Sequence, residues 1–138
     1  MTDKEATMLL ALIKVAYPSA YKDFDKEMTL ATVRMWQSTF SDTPYVIMEM
    51  ALEHYRLSNK FPPTVADMFE SLRALYVSAM FEANIAMQRK DELTFKKCEF
   101  IMDNSDHHRR ELDNPIKFNR ISDDMLIGYD NKKLIEEN

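Results

Sequence analysis

Phe61-Pro62-Pro63-Thr64-Val65-Ala66-Asp67-Met68 is the stretch that decides the fold. Neither proline can continue a helix, because each lacks a backbone N–H and its ring clashes with the preceding turn. Thr64, with Asp67 three residues on, then forms a capping pattern that satisfies the first orphan N–H groups of a new helix. The stretch is therefore a rigid corner between two helices. Phe61 is expected to plug the gap between those helices while the prolines hold the chain extended.

Downstream of the corner, Val65, Met68, Phe69, Leu72, Leu75, Tyr76, Ala79 and Met80 form one stripe at helical spacing. Nothing forces a break before Lys90. A further helix is expected from about Asp91 to Asn104, with Leu93, Phe95, Cys98, Phe100, Ile101 and Met102 as its apolar residues. Upstream, Ser58-Asn59-Lys60 ends a helix that begins after Thr43-Pro44, where Thr43 serves as N-cap and Pro44 takes the first helical position. Its inward residues are expected to be Val46, Ile47, Met50, Ala51, His54 and Tyr55. A helix from near Thr29 carries Leu30, Val33, the single tryptophan Trp36, and Phe40 on one stripe. The first helix starts at Thr2, which pairs with Glu5 in a capping box, and ends before Pro18, which pushes Tyr17 out of the α region. Residues 18–27 read as a loop whose Tyr21 and Phe24 dock on the core.

From Asp103 onward the pattern breaks up. Nine acids face six Lys or Arg, and Pro115, Gly128 and many Asn and Asp interrupt any periodicity. Apolar residues survive as short islands: Ile116 and Phe118, then Ile121, then Met125, Leu126, Ile127 and Tyr129. That composition fits a weakly ordered tail with docking islands. The expected architecture is all-α, a small bundle of four to five helices with a flexible C-terminal tail. Its expected units are a helical domain over 1–90, a helical extension over 91–104 and a partner-binding tail over 105–138.

Composition removes several functions. The chain has one glycine, so neither a phosphate-binding P-loop nor a dinucleotide fingerprint can be built. A net charge of −5 opposes bulk attraction to nucleic acid, and the basic pairs Lys96-Lys97, Arg109-Arg110 and Lys132-Lys133 are each flanked by acids. One cysteine excludes an internal disulfide framework and fits a reducing compartment. No signal peptide or membrane span is expected. Asp103 and His107 share a helical face, with Asp106 and His108 beside them, but two ligands fall short of a zinc site. Glu49 and Glu53 read as a solvated face, and Cys98 as a small buried hydrophobe. No catalytic residue, metal or cofactor is expected. The eleven methionines read mainly as core filler.

Residues from about Lys4 to Leu72 resemble the phage replicative-helicase loader/inhibitor family. The resemblance rests on Leu9-Leu10-Ala11-Leu12-Ile13-Lys14 followed by Tyr17-Pro18, on Trp36, on Pro44 opening the third helix, and on Ala51-Leu52 with Tyr55. It ends on the corner Phe61, Pro62, Pro63 and Thr64 through Asp67. It implies an all-α domain, a location in the bacterial host cytoplasm, and a partner, the hexameric replicative DNA helicase in its ATP-bound state. It further implies inhibition of that helicase and delivery to the origin through the origin-binding initiator. The family's C-terminal region contributes to the helicase contact. By position and composition, the contact residues are expected to be Ile121, Met125, Leu126, Ile127 and Tyr129. The matched residues themselves read as structural. The rival reading is a phage helical interaction protein that inhibits a different host factor.

Overall fold

The computed structural model describes residues 1–113 and 122–129, with side chains over 1–105 and 122–129. It is all-α: five helices, α1 (Asp3–Ala16), α2 (Lys26–Thr39), α3 (Tyr45–Arg56), α4 (Val65–Arg89) and α5 (Glu92–Asp113), and a short sixth, α6 (123–129). No strand occurs among the described residues.

The two capping boxes form as the sequence reads. Glu5 N–H donates to Thr2 Oγ1 at 3.2 Å while Thr2 N–H donates to Glu5 Oε1 at 2.9 Å. At the corner, Asp67 N–H donates to Thr64 Oγ1 at 3.2 Å and Thr64 N–H to Asp67 Oδ2 at 2.8 Å. Helix α2 starts earlier than Thr29. Asp25 is its N-cap, accepting from Met28 N–H at 2.8 Å, and a carboxylate suits the positive end of a helix better than a threonine one turn later. Pro44 stands at the N-cap of α3 rather than inside it. No side chain caps that helix; Thr43 is fully buried, and the Pro44 carbonyl takes the N–H groups of Ile47 and Met48.

Helices α1 and α3 run side by side in the same direction. The Met1 amino group donates to the Thr43 carbonyl at 2.9 Å at one end, and the Tyr17 and Tyr55 rings meet edge-on at 6.2 Å at the other. Helix α2 returns antiparallel to α1, and its last turn lies at Met1, whose amino group also donates to the carbonyls of Phe40 and Ser41. The main core joins Ala6, Leu9 and Ile13 of α1 to Val33 and Trp36 of α2, Ile47, Met48, Ala51 and Leu52 of α3, and Met68 and Leu72 of α4.

Two expected faces are rotated. In α2, Leu30 is exposed and only Val33, Trp36 and Phe40 turn inward. In α3, Val46 and His54 are exposed and Met50 is half-buried, while Met48 and Leu52 take buried places. Helix α3 touches α1, α4 and α5, so it needs a wide apolar face, and the pairs Ile47-Met48 and Ala51-Leu52 supply one.

Helix α4 has 25 residues, against 12 in α3. At 1.5 Å per residue it spans about 37 Å, roughly twice the length of α3, so its second half projects past the bundle. Among the described residues only α5 covers that half, and a second small core of Ala79, Ala83 and Cys98 forms there, with Phe95, Ile101 and Met102 against it. Small residues on α4 let the two helices approach closely. The turn between them is made by Lys90, which adopts the left-handed conformation (φ 58°) that glycine usually supplies. Helix α5 starts after Asp91, whose carboxylate accepts from Thr94 N–H at 3.2 Å and from the Thr94 hydroxyl at 2.7 Å. It runs past Asn104 to Asp113. Leu93 and Phe100, expected on its apolar face, are exposed; the inward face is Phe95, Cys98, Ile101, Met102 and Ser105.

Candidate partner-binding surfaces

The corner is a hydrogen-bonded lock. The Tyr55 hydroxyl donates to the Phe61 carbonyl at 2.8 Å, Asn59 Nδ2 donates to the Tyr55 carbonyl at 2.8 Å, and the Tyr17 hydroxyl donates to the Asn59 carbonyl at 2.9 Å. Burial, then the nearby Asp67 carboxylate, holds the Tyr55 phenol above its ordinary pKa. Phe61 contributes its carbonyl, not its ring, which is 78% exposed and plugs nothing. Pro63 is the buried residue of the pair. Trp36 is 2% exposed and packs on Phe40 at 5.8 Å between centroids, with Phe40 in turn on Phe69 at 5.1 Å. Trp36 therefore sits in the main core, and Thr64 caps α4. These residues position elements; only Phe61 offers a surface.

The residues expected to touch a partner divide. Met125, Leu126, Ile127 and Tyr129 lie on α6 and are each 52–63% exposed. Ile121 lies outside the described residues, as do Ile116, Phe118 and Lys132-Lys133. Four large apolar side chains on so short a helix cannot be satisfied by water. Isolated helices of this length are not stable without tertiary contacts, so the exposed apolar face of α6 is a candidate contact surface.

A larger apolar surface was not legible in the sequence. Val77, Met80, Phe81, Ile85 and Met87 are exposed on the projecting half of α4, and Leu93 and Phe100 on α5. Their spacing reads as core, and nothing in the sequence says that the bundle stops short of them. At the tip of this hairpin, Met87 and Phe95 flank an open groove of about 430 Å³, rimmed by Lys90, Lys96, Asp91, Glu92 and Glu99. A second groove of about 260 Å³ lies between α1 and α2.

Neither groove assembles chemistry. Burial, with Glu82 and Asp91 adding to it, raises the Cys98 thiol above its ordinary pKa, the opposite of what a nucleophile needs. Among the described residues no three His, Cys, Asp or Glu gather as metal ligands. The side chains of Asp106, His107, His108, Arg109 and Arg110 lie outside the described residues. Glu49 sits near Tyr45, whose phenol is raised by burial and then by the carboxylates of Glu49 and Glu5. Glu53 is exposed. Among the described residues no helix is long and apolar enough to cross a membrane.

The family model for the gp39P N-terminal domain of phage helicase loader/inhibitors matches residues 1–69, half of the 138-residue chain. The matched stretch covers α1 to α3, the corner and the first turn of α4. No curated protein and no solved structure matches the chain.

Proposed function

The chain belongs to the phage helicase loader/inhibitor family, whose gp39P N-terminal domain it carries, and from that membership we propose that it binds the hexameric replicative DNA helicase of its phage. It acts without catalysis in the bacterial host cell, engaging the helicase in its ATP-bound state, inhibiting it, and helping to load it at the origin together with the origin-binding initiator. The observation that carries the reading is the match across residues 1–69, which includes the locked corner. A P-loop cannot be built from one glycine, so any nucleotide dependence belongs to the helicase.

The helical body (1–90) and its extension (91–104) serve as a rigid steric mass, and the tail (105–138) makes the helicase contact. Ile121, Met125, Leu126, Ile127 and Tyr129 are the contact residues, supported by the exposure of the four on α6. Helix α6 gains its tertiary partner when it seats on the helicase. Ordering costs part of the binding energy, so the complex forms readily and releases readily, as a loader requires.

The test is a triple substitution, Met125→Ser, Leu126→Ser and Ile127→Ser, assayed by co-elution with the helicase in ATP and magnesium. All three side chains are exposed, so helicity and melting should stay as in the parent protein. Loss of co-elution is the expected result. Undiminished co-elution would remove α6 from the contact.

A further inference from the structure

The groove between α1 and α2 has a chemistry that α6 matches. Its floor is apolar, made by Leu10, Ala11 and Val33. One wall is Tyr21 and Phe24, whose rings lie 5.2 Å apart, and Tyr21 is held there by a left-handed backbone (φ 59°) that a tyrosine rarely adopts. The hydroxyls of Thr7, Thr29 and Thr32 donate to carbonyls one turn back in their own helices, so each is already satisfied. Lys14 and Lys22 are the charged residues that line the groove, and no acidic residue does. At about 260 Å³ it has room for one or two large side chains and is smaller than a typical cofactor cleft.

Helix α6 has the complementary character. Asp123 and Asp124 precede Met125, Leu126, Ile127 and Tyr129, and all are exposed. We propose that residues 122–129, exposed in this structure, seat in solution in the α1–α2 groove of the same chain, with Met125 and Tyr129, one helical turn apart, on its floor and Asp123 and Asp124 at Lys14 and Lys22. Residues 114–121 can span at most about 26–29 Å, near the diameter of a small domain, so the segment can reach within one molecule. The rival groove at the hairpin tip fails on charge. Its three carboxylates, Asp91, Glu92 and Glu99, outnumber Lys90 and Lys96, so it suits an acidic segment less well than a groove lined by lysines alone. The consequence rests on the helicase reading: groove and helicase compete for α6, so the contact segment stays covered until the helicase takes it.

A nitroxide at residue 128 tests the docking without any helicase. A Cβ at Gly128 meets nothing within 4 Å, so Gly128→Cys is tolerated, and buried Cys98 is shielded from the label. The amide signals of Ala11, Lys14 and Tyr21 should broaden in the full-length labelled protein and recover on reducing the nitroxide. Lys14→Glu with Lys22→Glu should lower the docked population about tenfold, and roughly 0.5 M salt should weaken it in the unsubstituted protein. Unbroadened groove amides, broadening at the hairpin tip instead, or broadening indifferent to both charge reversal and salt would overturn the proposal. Equal broadening when labelled protein is mixed with separate isotope-enriched molecules would place the segment on a second copy and overturn it as well. Helicase co-elution of the same variants is read separately, so docking can stand if helicase binding fails, and the reverse.

Discussion

Phe40→Ala should cost far more stability than Phe61→Ala, because Phe40 belongs to the main core and the Phe61 ring does not. Phe40 is fully buried at the end of α2, and its ring contacts Trp36 at 5.8 Å and Phe69 at 5.1 Å. It therefore links α2 to α4 through two ring contacts. Truncating a buried phenylalanine costs about 3–5 kcal/mol, and two lost aromatic pairs put this site toward the upper end. Native domains hold about 5–15 kcal/mol in all, so the variant should sit close to its unfolding threshold. Its melting midpoint should fall by more than about 10 °C. The backbone of residue 40 keeps its role, because the Met1 amino group bonds to its carbonyl and not to its ring. Phe61→Ala removes a ring that is 78% exposed and should change stability by no more than about 0.5 kcal/mol. Urea titration followed by far-UV circular dichroism and Trp36 fluorescence measures both. A Phe40→Ala loss below about 1 kcal/mol, or a Phe61→Ala loss above about 2 kcal/mol, would refute the packing described here.

Three further outcomes are expected. Tyr55→Phe keeps the ring but removes the donor to the Phe61 carbonyl, so chemical denaturation should show a loss of about 1 kcal/mol, and none would mean that this bond does not hold the corner. Lys90→Gly should stabilise the protein by about 1 kcal/mol, since an L-residue pays that much to stay left-handed at the α4–α5 turn; a lower melting point would show that the lysine side chain matters more than its backbone. Burial pushes the Tyr21 phenol from the ordinary 10.0 up to about 12. The folded state then holds that proton more tightly than the unfolded chain, so the associated stability is intact below pH 10 and fades as pH rises toward 12; ultraviolet titration should show a late phase shared with the raised Tyr45 and Tyr55, and Tyr21→Phe should shrink it by one tyrosine.

Local signals were legible where a single side chain settles a local competition. Thr2 with Glu5, Thr64 with Asp67, and Pro18 after Tyr17 each leave the backbone one good option, and each element boundary falls there. The start of α2 was harder because Asp25 and Thr29 compete for one helix end, and the stronger dipole partner prevails. Which face turns inward depends on neighbours and not on the helix. Met48 and Leu52 are buried because α3 meets helices on more than one side, while Leu30 stays out because α2 packs mainly on α1. Phe61 shows the same limit: the prolines fix the backbone of the corner, and the ring points wherever that backbone sends it. The exposed stripe Val77, Phe81 and Ile85 has the periodicity of a core face, and only the mismatch in length between α3 and α4 leaves it bare. Of the residues proposed as contacts, the apolar character of Met125, Leu126, Ile127 and Tyr129 was legible, whereas the groove between α1 and α2 arises from pairing two helices and a loop that no local pattern links.

Size-exclusion chromatography with light scattering, run on the full chain mixed with its phage's hexameric helicase in ATP and magnesium, is the most direct measurement of the helicase reading. The expected result is a complex heavier than the hexamer that dissociates when nucleotide is withheld and fails to form with the Met125, Leu126 and Ile127 serine variant. A helicase that elutes at its own mass under every nucleotide condition would contradict it.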